Sequence, residues 1–178
     1  YNIFTSGINV TVTDTGTLGT DSLNAFDDTE SMTVWTINGT DSYTNSGGTV
    51  NYSGIETLGG SSGVDEFNVT VNAGLLDGGD GNDVYNIGAR GISVTVKDTG
   101  TTGSDKINAF DDITYTTVWT IDGTSDSYVN NNGTVAYSGI ETAEGSSGID
   151  EYTISGAISY AISSMAGADD FILQDNTT

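Results

Sequence analysis

The chain contains itself twice. NAFDDTESMTVWTINGT, from Asn24 to Thr40, returns as NAFDDITYTTVWTIDGT, from Asn108 to Thr124. YSGIETLGGSSGVDEF, from Tyr52 to Phe67, returns as YSGIETAEGSSGIDEY, from Tyr137 to Tyr152. Asn24 thus maps onto Asn108, and Tyr52 onto Tyr137 once a single inserted residue is allowed for. YNI at Tyr1 matches YNI at Tyr85, so two long repeats, 1–84 and 85–178, divide the chain. Tyr1 falls inside a repeat, which reads as a segment of a longer chain or filament. Self-similarity of this kind implies units that cannot bury their apolar face alone and do so by stacking on their neighbours.

Inside each long repeat runs a shorter one, Gly-x-Asp followed two residues on by a large apolar side chain. Its aspartates are Asp21, Asp41, Asp65, Asp83, Asp105, Asp126, Asp150 and Asp169. Neighbours in that series lie about 18–24 residues apart, the length of one solenoid coil. The copy at Asp126 carries one extra residue. Between the motifs the pattern has period two, as in Val10-Thr-Val12, Val34-Trp-Thr-Ile37, Phe67-Asn-Val69-Thr-Val71 and Val94-Thr-Val96, which is the signature of half-buried strands. Gly156 to Ala168 has some helical propensity but falls in a coil position and reads as strand and turn. A β-sandwich has no reason to place one turn chemistry at every second strand junction. The expectation is therefore an all-β chain, a parallel β-solenoid of β-roll or β-helix type with about eight coils of roughly 18–24 residues in one continuous stack.

Charge narrows the function. Twenty-five acidic residues against 3 basic ones give a formal charge of −22, which argues against nucleic acid and against anionic membrane as partners. No apolar run is long enough for a membrane helix. There is no Cys and no His, so no disulfide and none of the ligands that transition metals prefer. Proline is absent too, which suits uninterrupted ladders.

Stacked coils bring equivalent residues to about 4.8 Å of one another, so an Asp in each coil faces a column of like charge. Three arrangements relieve it: the carboxylates point to solvent, they bind the amides of their own turns, or a cation sits between them. Calcium takes oxygen ligands from carboxylates, Asn and main-chain carbonyls, and a Gly-rich turn exposes carbonyls. The best-formed turn is Leu76-Asp77-Gly78-Gly79-Asp80-Gly81-Asn82-Asp83-Val84-Tyr85, which fits GGxGxDxUx at every fixed position. Here the sequence resembles the repeats-in-toxin family, whose turns bind calcium inside a parallel β-roll. Gly60-Ser-Ser-Gly63-Val-Asp65 lies two nonapeptides upstream, one β-roll coil away. The resemblance implies calcium between these two turns, with Asp65, Asp80, Asn82 and Asp83 as ligands and the carbonyls of Gly78 and Gly81 contributing. The turns at Asp21, Asp105, Asp150 and Asp169 are more degenerate. Each either keeps a cation or uses its Asp to satisfy its own amides as an Asx-turn.

The larger unit, Trp119-Thr-Ile-Asp-Gly with Tyr137-Ser-Gly-Ile-Glu-Thr and Gly145-Ser-Ser-Gly-Ile-Asp-Glu-Tyr, is similar to repeats of very large bacterial surface and adhesin proteins. That implies a secreted or cell-surface location and structural or adhesive work. Paired carboxylates at Asp27-Asp28, Asp111-Asp112 and Asp169-Asp170 raise a glycosidase. The first pair recurs as the second in the other long repeat, however, and the three basic residues are not duplicated, so no enzyme is expected. Trp35 and Trp119 either point outward as a sugar-stacking platform, since neighbouring Val and Thr compete for the interior, or pack in the core or between coils, which is favoured. Two functions follow: a calcium-stiffened rod, stalk or fibre formed by end-to-end stacking or adjoining repeats, and, as the alternative, an adhesin module that binds extracellular glycan or a partner cell. Near-uniform halves without an outlying loop favour the rod.

Overall fold

A computed structural model describes residues 1–174 of the chain, in which there are eighteen strands and no helix. The chain passes back and forth between two sheets. β1 (Asn9–Thr13) lies in the first sheet and β2 (Ser22–Asn24) in the second. A meander of β3 (Thr33–Ile37), β4 (Ser42–Asn45) and β5 (Gly48–Ser53) returns to the first sheet. Then β6 (Thr57–Gly59) and β8 (Leu75–Asp77) lie in the second, with β7 (Asp65–Val69) and β9 (Val84–Ile87) in the first.

Alternation continues through the second half. β10 (Val94–Lys97) joins the second sheet and β11 (Lys106–Asn108) the first. A second meander, β12 (Thr117–Ile121), β13 (Asp126–Asn130) and β14 (Gly133–Ser138), sits in the second sheet. β15 (Thr142–Glu144) and β17 (Ala161–Ser163) complete the first sheet, while β16 (Asp150–Ser155) and β18 (Asp170–Gln174) complete the second. Gly156 to Ala168 thus holds one short strand and turns, as its sequence suggests.

Each sheet has nine strands, three of them one meander, so the chain visits each sheet seven times. From β1 up to its counterpart β10 the chain makes seven visits, an odd number. Equivalent strands therefore exchange sheets: β1 and β3 lie in the first sheet, their counterparts β10 and β12 in the second. Strand pairing runs across the junction of the long repeats without a break, because β9 pairs with both β7 and β11.

The sheets are mixed, and this corrects the expectation of an unbroken parallel ladder. Pairing is parallel everywhere except inside the two meanders, where β3–β4–β5 and β12–β13–β14 are antiparallel. The motifs at Asp41 and Asp126 do not begin a new coil; they close hairpins. Asp41 Oδ1 accepts the amides of Asn38 and Gly39, and Asp126 Oδ1 those of Asp122 and Gly123. The second turn of each meander has two residues of positive φ, Ser46 (47°) with Gly47 (81°) and Asn131 (45°) with Asn132 (70°), the two-residue turn that matches strand twist.

Period-two burial builds the core between the sheets. Trp35, Phe67 and Tyr85 stack through adjacent strands with centroids 5.5 and 5.0 Å apart, and Trp119, Tyr152 and Phe171 do so at 5.4 and 4.7 Å. Each such pair adds about 0.5–1.5 kcal/mol beyond burial. Both tryptophans are fully buried, so they pack in the core between the sheets and offer no sugar platform. On the outer face Asn68, Asn86 and Asn108 hydrogen-bond in a ladder at 3.1 and 2.7 Å, which holds β7, β9 and β11 in register.

Candidate metal centre

The register of β7, β9 and β11 decides what the turns before them do. Phe67 pairs with Tyr85 and Tyr85 with Ile107, so Asp65, Asp83 and Asp105, each two residues ahead, stand one above another. The carboxylates of Asp83 and Asp105 each cap the turn behind. The Asp65 amide donates to Asp83 Oδ1 at 2.8 Å, the Asp83 amide to Asp105 Oδ1 at 2.8 Å, and the Asp105 amide to Glu141 Oε2 at 2.7 Å. The Asp150 amide donates to Asp169 Oδ1 at 3.0 Å, and the Asp21 amide to Glu56 Oε2 at 2.9 Å. Part of the like-charge problem is thus relieved by main-chain dipoles.

The remaining oxygens separate the predicted ligands. At Asp65 they are taken: Trp35 Nε1 donates to Oδ1 at 3.1 Å, and the amide and hydroxyl of Ser61 donate to Oδ2 at 2.8 and 2.9 Å. Asp150 repeats this with Trp119 at 2.9 Å and Ser146 at 2.9 and 3.1 Å. Asp80 Oδ1 accepts the amides of Thr101 and Thr102, and Asn82 Oδ1 that of Ser104, so both cap the following turn. The carbonyls of Gly78 and Gly81 face Gly60 and Gly103 of the neighbouring turns. Asp21 and Asp169 are half-buried and lie in turns remote from this run along the stack.

Asp83 is different. Its side chain is wholly buried, and Oδ2 has no hydrogen-bond partner among the described residues. Asp83, Asp98 and Asp105, all buried, each bring one carboxylate oxygen within 4.8 Å of the others. Asp98 comes from the residue after β10. Its Oδ1 accepts the Gly100 amide at 3.0 Å and its Oδ2 the Tyr85 hydroxyl at 2.8 Å, while that hydroxyl accepts the Gly78 amide at 2.6 Å. Gly78 is required by close approach: a Cβ there would fall against Asp83 Oδ2 and 2.7 Å from the Tyr85 hydroxyl.

The structure thus moves the acidic centre one turn along the stack. The turns of Asp65 and Asp83 meet through a hydrogen bond, whereas the carboxylates that converge are Asp83, Asp98 and Asp105. Asp98 is absent from the Gly-x-Asp pattern. Its one signal in the sequence is recurrence, because Asp98-Thr-Gly100 stands in the second long repeat where Asp14-Thr-Gly16 stands in the first. The contact recurs as well: the Tyr1 hydroxyl donates to Asp14 Oδ2 at 3.0 Å.

Electrostatics show what the centre lacks. Burial, reinforced by the charges of Asp65, Asp98 and Asp105, pushes the Asp83 carboxyl up to about 8. Burial, with the charges of Asp98 and Glu141, raises Asp105 to about 6, and burial also raises Asp98. Asp65 rises to about 6 through burial in spite of its donors. Asp80, half-buried and capped by Thr101, is lowered. An oxygen-only set of three carboxylates with an orphaned buried oxygen fits a hard divalent cation such as calcium, which prefers such ligands. Such an ion would restore all three to the ionised form.

The paired carboxylates are splayed onto separate turns. Asp27 Oδ1 accepts the Ser62 amide while Asp28 Oδ1 accepts those of Glu30 and Ser31; Asp111 and Asp112 do the same with Ser147 and with Thr114 and Tyr115. Asp112 also pairs with Arg90 at 3.4 Å. Comparison with family models, with curated proteins and with solved structures finds no match to this chain.

Proposed function

We propose that the chain is an extracellular structural repeat module, a β-solenoid segment of repeats-in-toxin-like character stiffened by calcium. It works as part of a rod, stalk or fibre of a bacterial surface, lengthened by adjoining repeats or further copies stacked end to end. The observation that carries this reading is the buried Asp83–Asp98–Asp105 cluster with its unpartnered oxygen, set in the middle of a continuous stack. A cation bound there ties two successive turns across the junction of the long repeats. Three buried carboxylates without one repel each other in a poorly solvated site.

Lengthening is supported by the edges. β1 and β17 end the first sheet, β2 and β18 the second, and among the described residues all but β2 pair with a neighbouring strand on one side only. Tyr1, Phe4, Val10 and Leu18 are exposed near one end, and Phe171, Ile172 and Leu173 at the other. Open strand edges with apolar side chains are templates for further strands.

Thermal melting followed by circular dichroism, with calcium titrated against chelator, tests the reading. Metal bound by the folded state alone raises the melting temperature by mass action, and the expected result is a rise that saturates. An unchanged melting temperature across the titration refutes calcium stiffening.

A further inference from the structure

The two halves are each other's control, and at one place they differ by a ring. In the second half Tyr160, just ahead of β17, donates its hydroxyl to Asp126 Oδ2 at 2.7 Å and stands 3.4 Å from the hydroxyl of Tyr137. The two tyrosine rings meet edge on, with centroids 6.5 Å apart. The other oxygen of Asp126 is held by its hairpin turn.

Asp41 and Tyr52 take the places of Asp126 and Tyr137 in the first half, and Asp41 Oδ1 is held by its hairpin in the same way. The third member is missing. β8 pairs on β6 with Leu75 opposite Thr57, and β17 pairs on β15 with Ala161 opposite Thr142. The residue ahead of the strand is therefore Gly74 where the second half has Tyr160. Two consequences follow from this one exchange. Asp126 is 5% exposed, whereas Asp41 is only half-buried and no hydrogen bond reaches its Oδ2 among the described residues. Tyr52 is 5% exposed, yet its hydroxyl has no partner among those residues. Both halves have a cavity here, about 180 Å³ beside Tyr160 and about 190 Å³ in the first half, but only the latter reaches Ile37, Tyr52 and Leu58, with Asp41, Glu56 and Gly74 also in its lining.

We propose that this cavity binds a phenolic ring from outside the chain, its hydroxyl donating to Asp41 and accepting from Tyr52, as Tyr160 supplies a hydroxyl between Asp126 and Tyr137. The apolar walls of Ile37, Ile55 and Leu58 receive the ring, and Asp41 and Tyr52, among the polar side chains that line the cavity, fix its orientation, the usual division of labour in a small-molecule site. Burial and the charge of Asp41 both raise the Tyr52 pKa, so its hydroxyl stays protonated at neutral pH and can donate. The cavity shares no residue with the Asp83–Asp98–Asp105 cluster, so its test stands apart from that of calcium.

p-Cresol, the tyrosine side chain alone, is the probe, followed by NMR titration and calorimetry on the 178-residue chain. The expected result is one site in the unaltered chain, weakened roughly tenfold or more in Asp41→Asn, which removes the charge of the acceptor, and in Tyr52→Phe, which removes the donor. Tyr52→Phe also removes an orphaned buried hydroxyl, so its stability without ligand holds and lost binding is not lost folding. Tyr160→Gly should deepen the second cavity down to Tyr137 and raise the stoichiometry to two. The proposal is overturned if p-cresol does not bind, if Asp41→Asn binds it equally well, or if toluene, which lacks the hydroxyl, binds as tightly.

Discussion

The main-chain amide of Asp83 donates to Oδ1 of Asp105, one turn further along the stack, at 2.8 Å. Asp83 and Asp105 thus each spend one oxygen on the turn behind, whereas Asp65 spends one on Trp35. What distinguishes one turn from the next is the fate of the other oxygen: Ser61 takes it at Asp65, and nothing among the described residues takes it at Asp83.

Asp98→Asn tests whether the third carboxylate belongs to a cation site. The amide keeps the size of the side chain and removes its charge. Calcium affinity should fall at least tenfold, about 1.4 kcal/mol, measured by calorimetry. In chelator the variant should melt no lower than the unaltered chain, because one of three repelling buried charges is gone. A variant that keeps the full calcium shift would exclude Asp98 as a ligand.

Without metal, stability should fall as pH rises. The folded chain holds the Asp83 carboxyl up to about 8 and those of Asp65 and Asp105 up to about 6, against an ordinary value near 3.8. Between those limits the folded state binds more protons than the unfolded state, so raising the pH favours unfolding. Melting temperatures in chelator should therefore decline from about pH 4 through pH 8. Calcium, by stabilising the ionised carboxylates, should flatten or reverse that slope.

Gly78→Ala places a methyl group against Asp83 Oδ2 and the Tyr85 hydroxyl. Overpacking of a buried site costs about 1–3 kcal/mol, to be read from denaturant unfolding. The calcium-induced shift should shrink with it, since the intruding methyl lies against the orphaned oxygen.

Trp35→Phe keeps a ring in the aromatic column and removes the indole donor to Asp65 Oδ1. Loss of a partner for a buried carboxylate costs about 1–3 kcal/mol. Trp119→Phe should cost a similar amount through Asp150, and equality of the two in urea unfolding checks that both halves use the same bond.

The duplication and the strand alternation were legible in the sequence, because self-similarity and period two are direct signals; the sequence favoured packing for the tryptophans but left a surface platform open, and their burial decides between them. The meanders were not. Gly-x-Asp at Asp41 looks like Gly-x-Asp at Asp65, although one closes a hairpin and the other changes sheets. The difference lies in the next turn, where Ser46-Gly47 and Asn131-Asn132 carry the hairpin signal. The acidic centre was half legible: Asp83 and Asp105 sit in the motif, whereas Asp98 ends a strand, and only the register of β8, β10 and β14 turns its carboxylate toward Asp83.

The exchange of sheets between repeats governs the shape of anything built from this unit. Each meander adds two strands to whichever sheet holds it. Because the second falls opposite the first, the sheets stay at nine and nine; with both on one side they would be eleven and seven. At about 4.8 Å per strand the four-strand difference is roughly 19 Å, enough to curl the stack toward its shorter side. An odd number of crossings cancels that bend every second repeat, so a long array stays straight. Any feature carried once per repeat then faces alternate sides of the shaft, like leaves on a stem.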